Sequence, residues 1–156
     1  NTSTDYVHIM TPYLILDDEL VRAMTFAVRR GVDVRIIMPG IPDKQYAFDI
    51  ATTYFKALLE AGVRIFRYTP GFVHAKVYVS DAKQAVVGTI NTDYRSLYQN
   101  FEDGVYLYKN LEVLNIEQDF EKTQALSEEV TLESLSKIPM AHRLGGYLFS
   151  LIGPLM

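Results

Sequence analysis

A chain of 156 residues, 49% hydrophobic and 22% charged, is long enough to bury a core and has the balance of an ordinary globular protein. Its formal net charge of −4 speaks against a protein that coats nucleic acid, a role that wants a basic surface, but leaves room for a local basic pocket. Without cysteine there are no disulfides and no thiolate metal sites, and no run approaches the roughly 20 apolar residues of a membrane span.

The chain opens Asn1-Thr2-Ser3-Thr4 with neither an initiator Met nor an apolar signal segment, the start expected of a piece of a longer protein. Tyr6 to Thr11 then reads as a strand stopped by Pro12. Asp17 and Asp18 offer an N-cap, and Leu20, Val21, Met24, Ala27 and Val28 follow at helical spacing. Arg29 and Arg30 fall in the last turn, and Gly31 completes the stop signal. Val32 to Met38 is a β-branched run between Gly and Pro-Gly, so a buried strand is expected. The rhythm repeats with a helix from Lys44 to Ala61, a Gly62 cap and a strand from Val63 to Tyr68. Strands alternating with helices imply right-handed crossovers and a parallel sheet covered by helices.

From Phe72 the helices drop out. Strands are expected over Phe72 to Val79, Gln84 to Ile90 and Phe101 to Tyr108, followed by a long helix from Leu111 to Glu129. The fold class is therefore α/β: βαβαβ, then a β-hairpin, a further strand and a C-terminal helix, forming a mixed sheet flanked by helices. Residues 1–156 read as a single domain. Its tail, 137–156, gathers Leu144, Tyr147, Leu148, Phe149, Leu151, Ile152, Leu155 and Met156 behind Lys137, His142 and Arg143. That tail reads either as a core helix or as an interfacial segment that docks on lipid.

The polar residues concentrate between Gly71 and Glu102. His74 and Lys76 are two apart in an expected strand, so both face one way. A four-residue connection, Ser80 to Lys83, would pair Val79 with Gln84 and His74 with Thr89, bringing Thr89 and Asn91 to the same face. A loop of odd length would shift the parity and split that group. The chemistry of such a set is phosphoryl transfer. A neutral imidazole attacks phosphorus without the repulsion an anion meets, and holds the phosphoryl group covalently. Lys76 supplies positive charge to the non-bridging oxygens, and Asn91 and Thr89 donate hydrogen bonds to them. Glu102 is the candidate partner for the other imidazole nitrogen. Asp81, in the turn, fits a residue that fixes the turn through backbone hydrogen bonds. Arg95 and Ser96 either contact substrate or anchor their loop.

Taken singly, each of these residues has a structural explanation, and a lone histidine on a strand is more often structural than catalytic. Taken together they do not. His-x-Lys-x4-Asp arises by accident in roughly one chain in a hundred of this length, and fixing Gly88 and Asn91 lowers that by some hundreds more.

His74-x-Lys76-x4-Asp81-x6-Gly88-Thr89-x-Asn91 closely resembles the HKD signature of the phospholipase D superfamily, with Thr89 where that signature usually has Ser. Further stretches resemble bacterial cardiolipin synthases: Thr11-Pro12-Tyr13, the run from Gly31 to Gly40, Leu59 to Ile65, Asn91-x-Asp93-x-Arg95-Ser96 and Asn100-Phe101-Glu102. After Pro12-Tyr13 that family more often has Phe-Ile-Pro where this chain has Leu14-Ile15-Leu16.

The resemblance implies the C-terminal half of a phosphatidyltransferase that makes cardiolipin and glycerol from two phosphatidylglycerols, through a phosphohistidine. By resemblance the catalytic set is His74, Lys76, Asp81, Asn91 and Glu102, with Thr89 and Arg95 binding substrate. No metal or other cofactor is expected. The family mechanism uses two facing motifs, and of the three histidines neither His8 nor His142 forms a second one. The other half would come from an N-terminal part of the parent chain or from a second copy. The parent would work at the cell membrane, with its anchor outside this piece and no nucleic-acid partner. Two other readings remain open: a homodimeric single-motif phosphodiesterase or nuclease, and a non-catalytic lipid-docking fragment.

Overall fold

The first half of the chain follows the expected alternation: strand β1 (Tyr6–Met10), helix α1 (Asp18–Arg29), β2 (Asp33–Pro39), α2 (Gln45–Ala61) and β3 (Arg64–Tyr68). In the computed structural model, which describes residues 1–151, β2 lies between β1 and β3 and is parallel to both. Asp17 opens α1 by accepting a 2.7 Å hydrogen bond from the Leu20 amide. Gly62 ends α2 at φ 98°, a conformation that any side chain would strain.

Alternation along β2 explains the layers. Val34, Ile36 and Met38 enter the core beneath α1 and α2, with Ile9, Phe55, Leu58 and Ile65. Ile37 points the other way and joins Met10, Phe66, Val77 and Phe120. A strand that is apolar on both faces must be covered on both, and it is.

The second half departs from the expectation in its boundaries. The strands are β4 (Val77–Ser80), β5 (Gln84–Gly88) and β6 (Gly104–Tyr108), each shorter than expected. His74 and Lys76 precede β4 rather than lying within it. Helix α3 (Glu112–Ala125) stops before Glu129, because Ser127–Glu129 forms β7, which pairs antiparallel with β3. Two more helices follow, α4 (Leu132–Ser136) and α5 (Met140–Ser150). The mixed seven-stranded sheet runs β6-β5-β4-β1-β2-β3-β7.

The hairpin register also corrects the sequence reading. Ser80 pairs with Gln84 and Val79 with Ala85, so the connection is the odd-length loop Asp81-Ala82-Lys83. Asp81 and Ala82 both sit at positive φ, 54° and 51°, as tight hairpin turns require. The ladder continues to Lys76, whose carbonyl accepts from the Gly88 amide at 3.2 Å. Lys76 therefore lies opposite Gly88, and strand pairing does not carry Thr89 and Asn91 to its face.

Asp81 makes this unusual turn possible. Its carboxylate accepts from the backbone amides of Thr4, Asp5 and Tyr6 at 2.9, 3.0 and 2.9 Å, tying the turn to the entry of β1. The Tyr6 hydroxyl in turn accepts from the Ala82 amide at 2.8 Å. Burial works against the charge on Asp81, but the three amides outweigh it and hold the carboxyl below its ordinary range.

The tail helix α5 packs on α2. A Cβ on Gly146 would overlap the Asp49 carbonyl, so only glycine permits this approach. His142 Nδ1 lies 3.1 Å from Asp49 Oδ1, and Phe149 packs near Tyr46 at 6.2 Å between ring centroids. The outer side of α5 leaves Leu144, Tyr147 and Leu148 exposed. Ile152, Leu155 and Met156 of the expected apolar tail lie outside the described residues.

Asp81→Asn is expected to destabilise the chain by about 1–3 kcal/mol at neutral pH, measured by urea unfolding. Because the folded carboxyl titrates below its unfolded value of about 3.9, its contribution is complete above that value and fades as pH falls through the folded one. The variant should accordingly show a shallower acid loss than wild type; equal stability at pH 7 would contradict the role given to Asp81. Gly146→Val should cost about 1–3 kcal/mol through overpacking and expose α5 to limited proteolysis at low protease concentration. Unchanged cleavage would show that the contact is dispensable.

Candidate active site

Lys76 is the centre of the site. It is 91% shielded from solvent, so its ammonium must find partners inside the protein. It donates to the His74 carbonyl at 2.8 Å, and its Nζ lies 2.9 Å from His74 Nδ1 and 3.2 Å from Nε2. Burial lowers its pKa, and the negative charges of Glu102, Asp93 and Asp43 oppose that shift. An ammonium can only donate, so the imidazole nitrogen it faces accepts, and its lone pair is engaged in that contact. His74 itself is exposed, its ring tilted against Phe72 at 5.6 Å. An exposed imidazole beside a cation is an arrangement that suits attack on phosphorus.

Thr89 and Glu102 form a second cluster. Thr89 Oγ1 donates a short hydrogen bond to Glu102 and accepts from the Asp103 amide at 2.9 Å. The Thr89 amide donates to the Asp103 carbonyl at 2.8 Å, which ties the exit of β5 to the entry of β6. Gly88 is needed here because a Cβ would overlap that same carbonyl. Thr89 first, then the Ser96 and Asn100 side chains and the charge of Lys76, hold the Glu102 carboxyl below its ordinary range against the effect of burial. Glu102 thus acts on His74's surroundings through Lys76, and its direct hydrogen bonds go to Thr89 and Asn100 rather than to the imidazole.

The segment after Ile90 is pinned to the loop after β1. Thr92 Oγ1 donates to the Tyr13 carbonyl at 2.7 Å, and the Ile15 amide donates to the Thr92 carbonyl at 3.1 Å. Asp93 Oδ1 accepts from the Ser96 amide at 2.8 Å and opens a π-helical turn, Arg95–Gln99. Asn91, Asp93, Arg95 and Asn100 then line a cleft of about 280 Å³ with Tyr13 and Lys44. The Asn91 side-chain oxygen is buried and makes no hydrogen bond within the chain, so this residue keeps capacity for a ligand.

The structure therefore brings His74 and Lys76 into contact, sets Thr89 with Glu102 beside them, and places Asn91 and Arg95 along an adjoining cleft. Asp81 lies at the far end of β4, where its contacts are with Thr4, Asp5 and Tyr6. Lys44 and Asp93 escaped the sequence reading as site residues. Asp93 carried one usable signal, an acid three residues before Ser96, which is the spacing of a capped turn. The other two histidines are occupied elsewhere. His8 is buried between Tyr6 and Phe120 with Nδ1 2.7 Å from Glu117, and His142 meets Asp49. Among the described residues, no group of three or more His, Cys, Asp or Glu could hold a metal ion.

Comparisons with known proteins fit this geometry. The family described as cardiolipin synthase, PLD-like domain matches residues 1–124. Over all 156 residues the chain is 53% identical to an uncharacterized protein of Streptococcus mutans, of which it covers 34%. It is 39% identical over 156 residues to a cardiolipin synthase of Clostridium perfringens, of which it covers 33%. The chain thus spans about a third of the length of these curated relatives. Among solved structures, the phospholipase D family member Nuc from Salmonella typhimurium superposes with a TM-score of 0.71 at 17% identity, covering 83% of this chain and 84% of that one. That likeness concerns the fold, whereas the sequence match reaches the motif itself: the chain belongs to the cardiolipin synthase PLD-like domain family of the phospholipase D superfamily.

Proposed function

We propose that this chain supplies one half of the active site of a phosphatidyltransferase that joins two phosphatidylglycerols into cardiolipin and releases glycerol. The contact between Lys76 and the His74 ring carries the reading, because it pairs a nucleophile with the cation its transition state needs. The family match and the relatives named cardiolipin synthase support the choice of lipid.

The steps balance as follows. A His74 nitrogen forms a bond to the phosphorus of the first phosphatidylglycerol, and the bond from phosphorus to the glycerol oxygen breaks. The departing glycerol oxygen takes a proton from a histidine of the facing motif. That histidine then removes a proton from the hydroxyl of the second phosphatidylglycerol, whose oxygen attacks the phosphohistidine. The new phosphodiester leaves and His74 is free again. Lys76 and Asn91 hold the non-bridging oxygens, Thr89 and Glu102 keep that pocket in shape, and Arg95 with Lys44 receives the anionic headgroup at the cleft. Asp81 holds β4 in place from its other end.

The facing motif comes from the rest of a longer parent chain or from a second copy. A parent about three times this length, as in the relatives, leaves room for it. The exposed apolar side chains of Phe101, Val105, Tyr106 and Tyr108 lie on and next to β6, beside Thr89 and Glu102, and suit a covering partner. In this reading residues 1–156 form one unit with a single motif, and the parent acts at the cell membrane. Among the described residues no helix is long and apolar enough to cross a membrane, so the anchor would lie elsewhere. A homodimeric phosphodiesterase is the second reading, favoured by the near-complete mutual coverage with Nuc.

His74→Ala in the full-length parent should lower cardiolipin formation from phosphatidylglycerol by roughly three orders of magnitude or more, followed by mass spectrometry of the lipid products. Near-normal rates would remove His74 from the mechanism. Lys76→Met should cost about 10²–10³ in kcat with a smaller change in KM, since the cation acts mainly on the transition state. The isolated chain should turn over neither phosphatidylglycerol nor DNA as a monomer. Cleavage of DNA that grows with dimer concentration would favour the second reading.

A further inference from the structure

The helix α1 does not seal completely onto the sheet. Beneath it is a cavity of about 180 Å³ whose lining is almost wholly apolar, including Leu16, Leu20, Ala23 and Met24. Protein interiors are close-packed, and apolar cavities of about 150 Å³ stay dry and accept hydrocarbons. A pocket of this size and character suits an apolar ligand better than water.

Its position says which ligand. Tyr78 and Thr92 also line the cavity. Tyr78 is two residues beyond Lys76 on the same face of the sheet, about 6–7 Å along the strand direction. Its hydroxyl donates to the Ile90 carbonyl at 3.0 Å, and Thr92 directly follows Asn91. Tyr78 and the 90–92 segment thus separate an apolar chamber from the phosphate site. A molecule occupying both must be anionic at one end and hydrocarbon at the other. The outer side of α1 matches such a molecule's surroundings. Arg22, Phe26, Arg29 and Arg30 are exposed there, with the Arg30 guanidinium 5.2 Å from the centre of the Phe26 ring. Cations beside an aromatic side chain suit an anionic lipid surface, while Asp18 and Glu19 remain at the opposite end of the helix.

We infer that this cavity is an acyl-chain pocket: one fatty acyl chain of the phosphatidyl group bound at His74 passes Tyr78 and lies beneath α1. This rests on the phosphatidyl-transfer reading and adds to it the place where the lipid's hydrocarbon is held.

Two measurements on the full-length parent test it. In mixed micelles, Ala23→Phe, which fills the chamber from a half-buried position, should lower the preference for dioleoyl over dibutanoyl phosphatidylglycerol in kcat/KM by about tenfold. A phosphatidylglycerol carrying a diazirine on its acyl chain should, on illumination with the wild-type protein, label the peptide containing Leu20, Ala23 and Met24. An unchanged preference together with labelling confined to other segments would overturn the pocket. That includes the case in which chain preceding Asn1, itself part of the cavity lining, fills it. Where Ala23→Phe fails to fold, the labelling of the wild type decides. A wild type that converts neither lipid would sink the transfer reading, whereas turnover without α1 labelling would sink only the pocket.

Discussion

A lysine ammonium taken out of water is the constraint around which the site is arranged. Lys76 cannot stay charged in the interior unless carbonyl and imidazole acceptors surround it and carboxylates stand nearby. Each of those requirements fixes something else. The His74 carbonyl must turn inward, which ends the strand before it reaches His74. The imidazole must turn an acceptor nitrogen toward the ammonium. Glu102, Asp93 and Asp43 must approach from three different segments, which draws the entry of β6, the start of the π-helical turn and the loop before α2 toward one place. The site is a consequence of making one buried charge tolerable.

The neighbouring motif positions each have a packing role within the chain. Gly88 lets β5 approach the Asp103 carbonyl, Thr89 binds the exit of β5 to the entry of β6, and Asp81 supports a turn with two residues at positive φ. Three of the motif's fixed letters therefore shape the frame in which His74 and Lys76 meet.

The alternating first half was legible in the sequence because each signal is local: an Asp17 cap, a Gly62 stop, β-branched runs of fixed length. The family was legible because His74, Lys76, Gly88 and Asn91 stand at a spacing that accident rarely gives. The register was not. It hinged on whether Ser80 belongs to the strand or to the turn, and that was decided by Asp81 reaching back to Thr4, Asp5 and Tyr6, more than seventy residues earlier. β7 was missed for a similar reason. Ser127-Glu128-Glu129 has no strand propensity of its own, and it is extended because β3 and the Arg64–Glu129 ion pair at 2.9 Å receive it. Lys44 and Asp93 lie in loops whose meeting is a product of tertiary structure.

That short strand has a consequence for assembly. An open sheet with two free edges can add neighbours at both and grow without limit. Here one edge is finished by three residues, two of them acidic, which offer little backbone to a newcomer and repel another copy of themselves. The β6 edge remains, and it carries the aromatic side chains. Among the described residues the sheet thus keeps one open edge, and two such edges meeting would close into a pair rather than a filament.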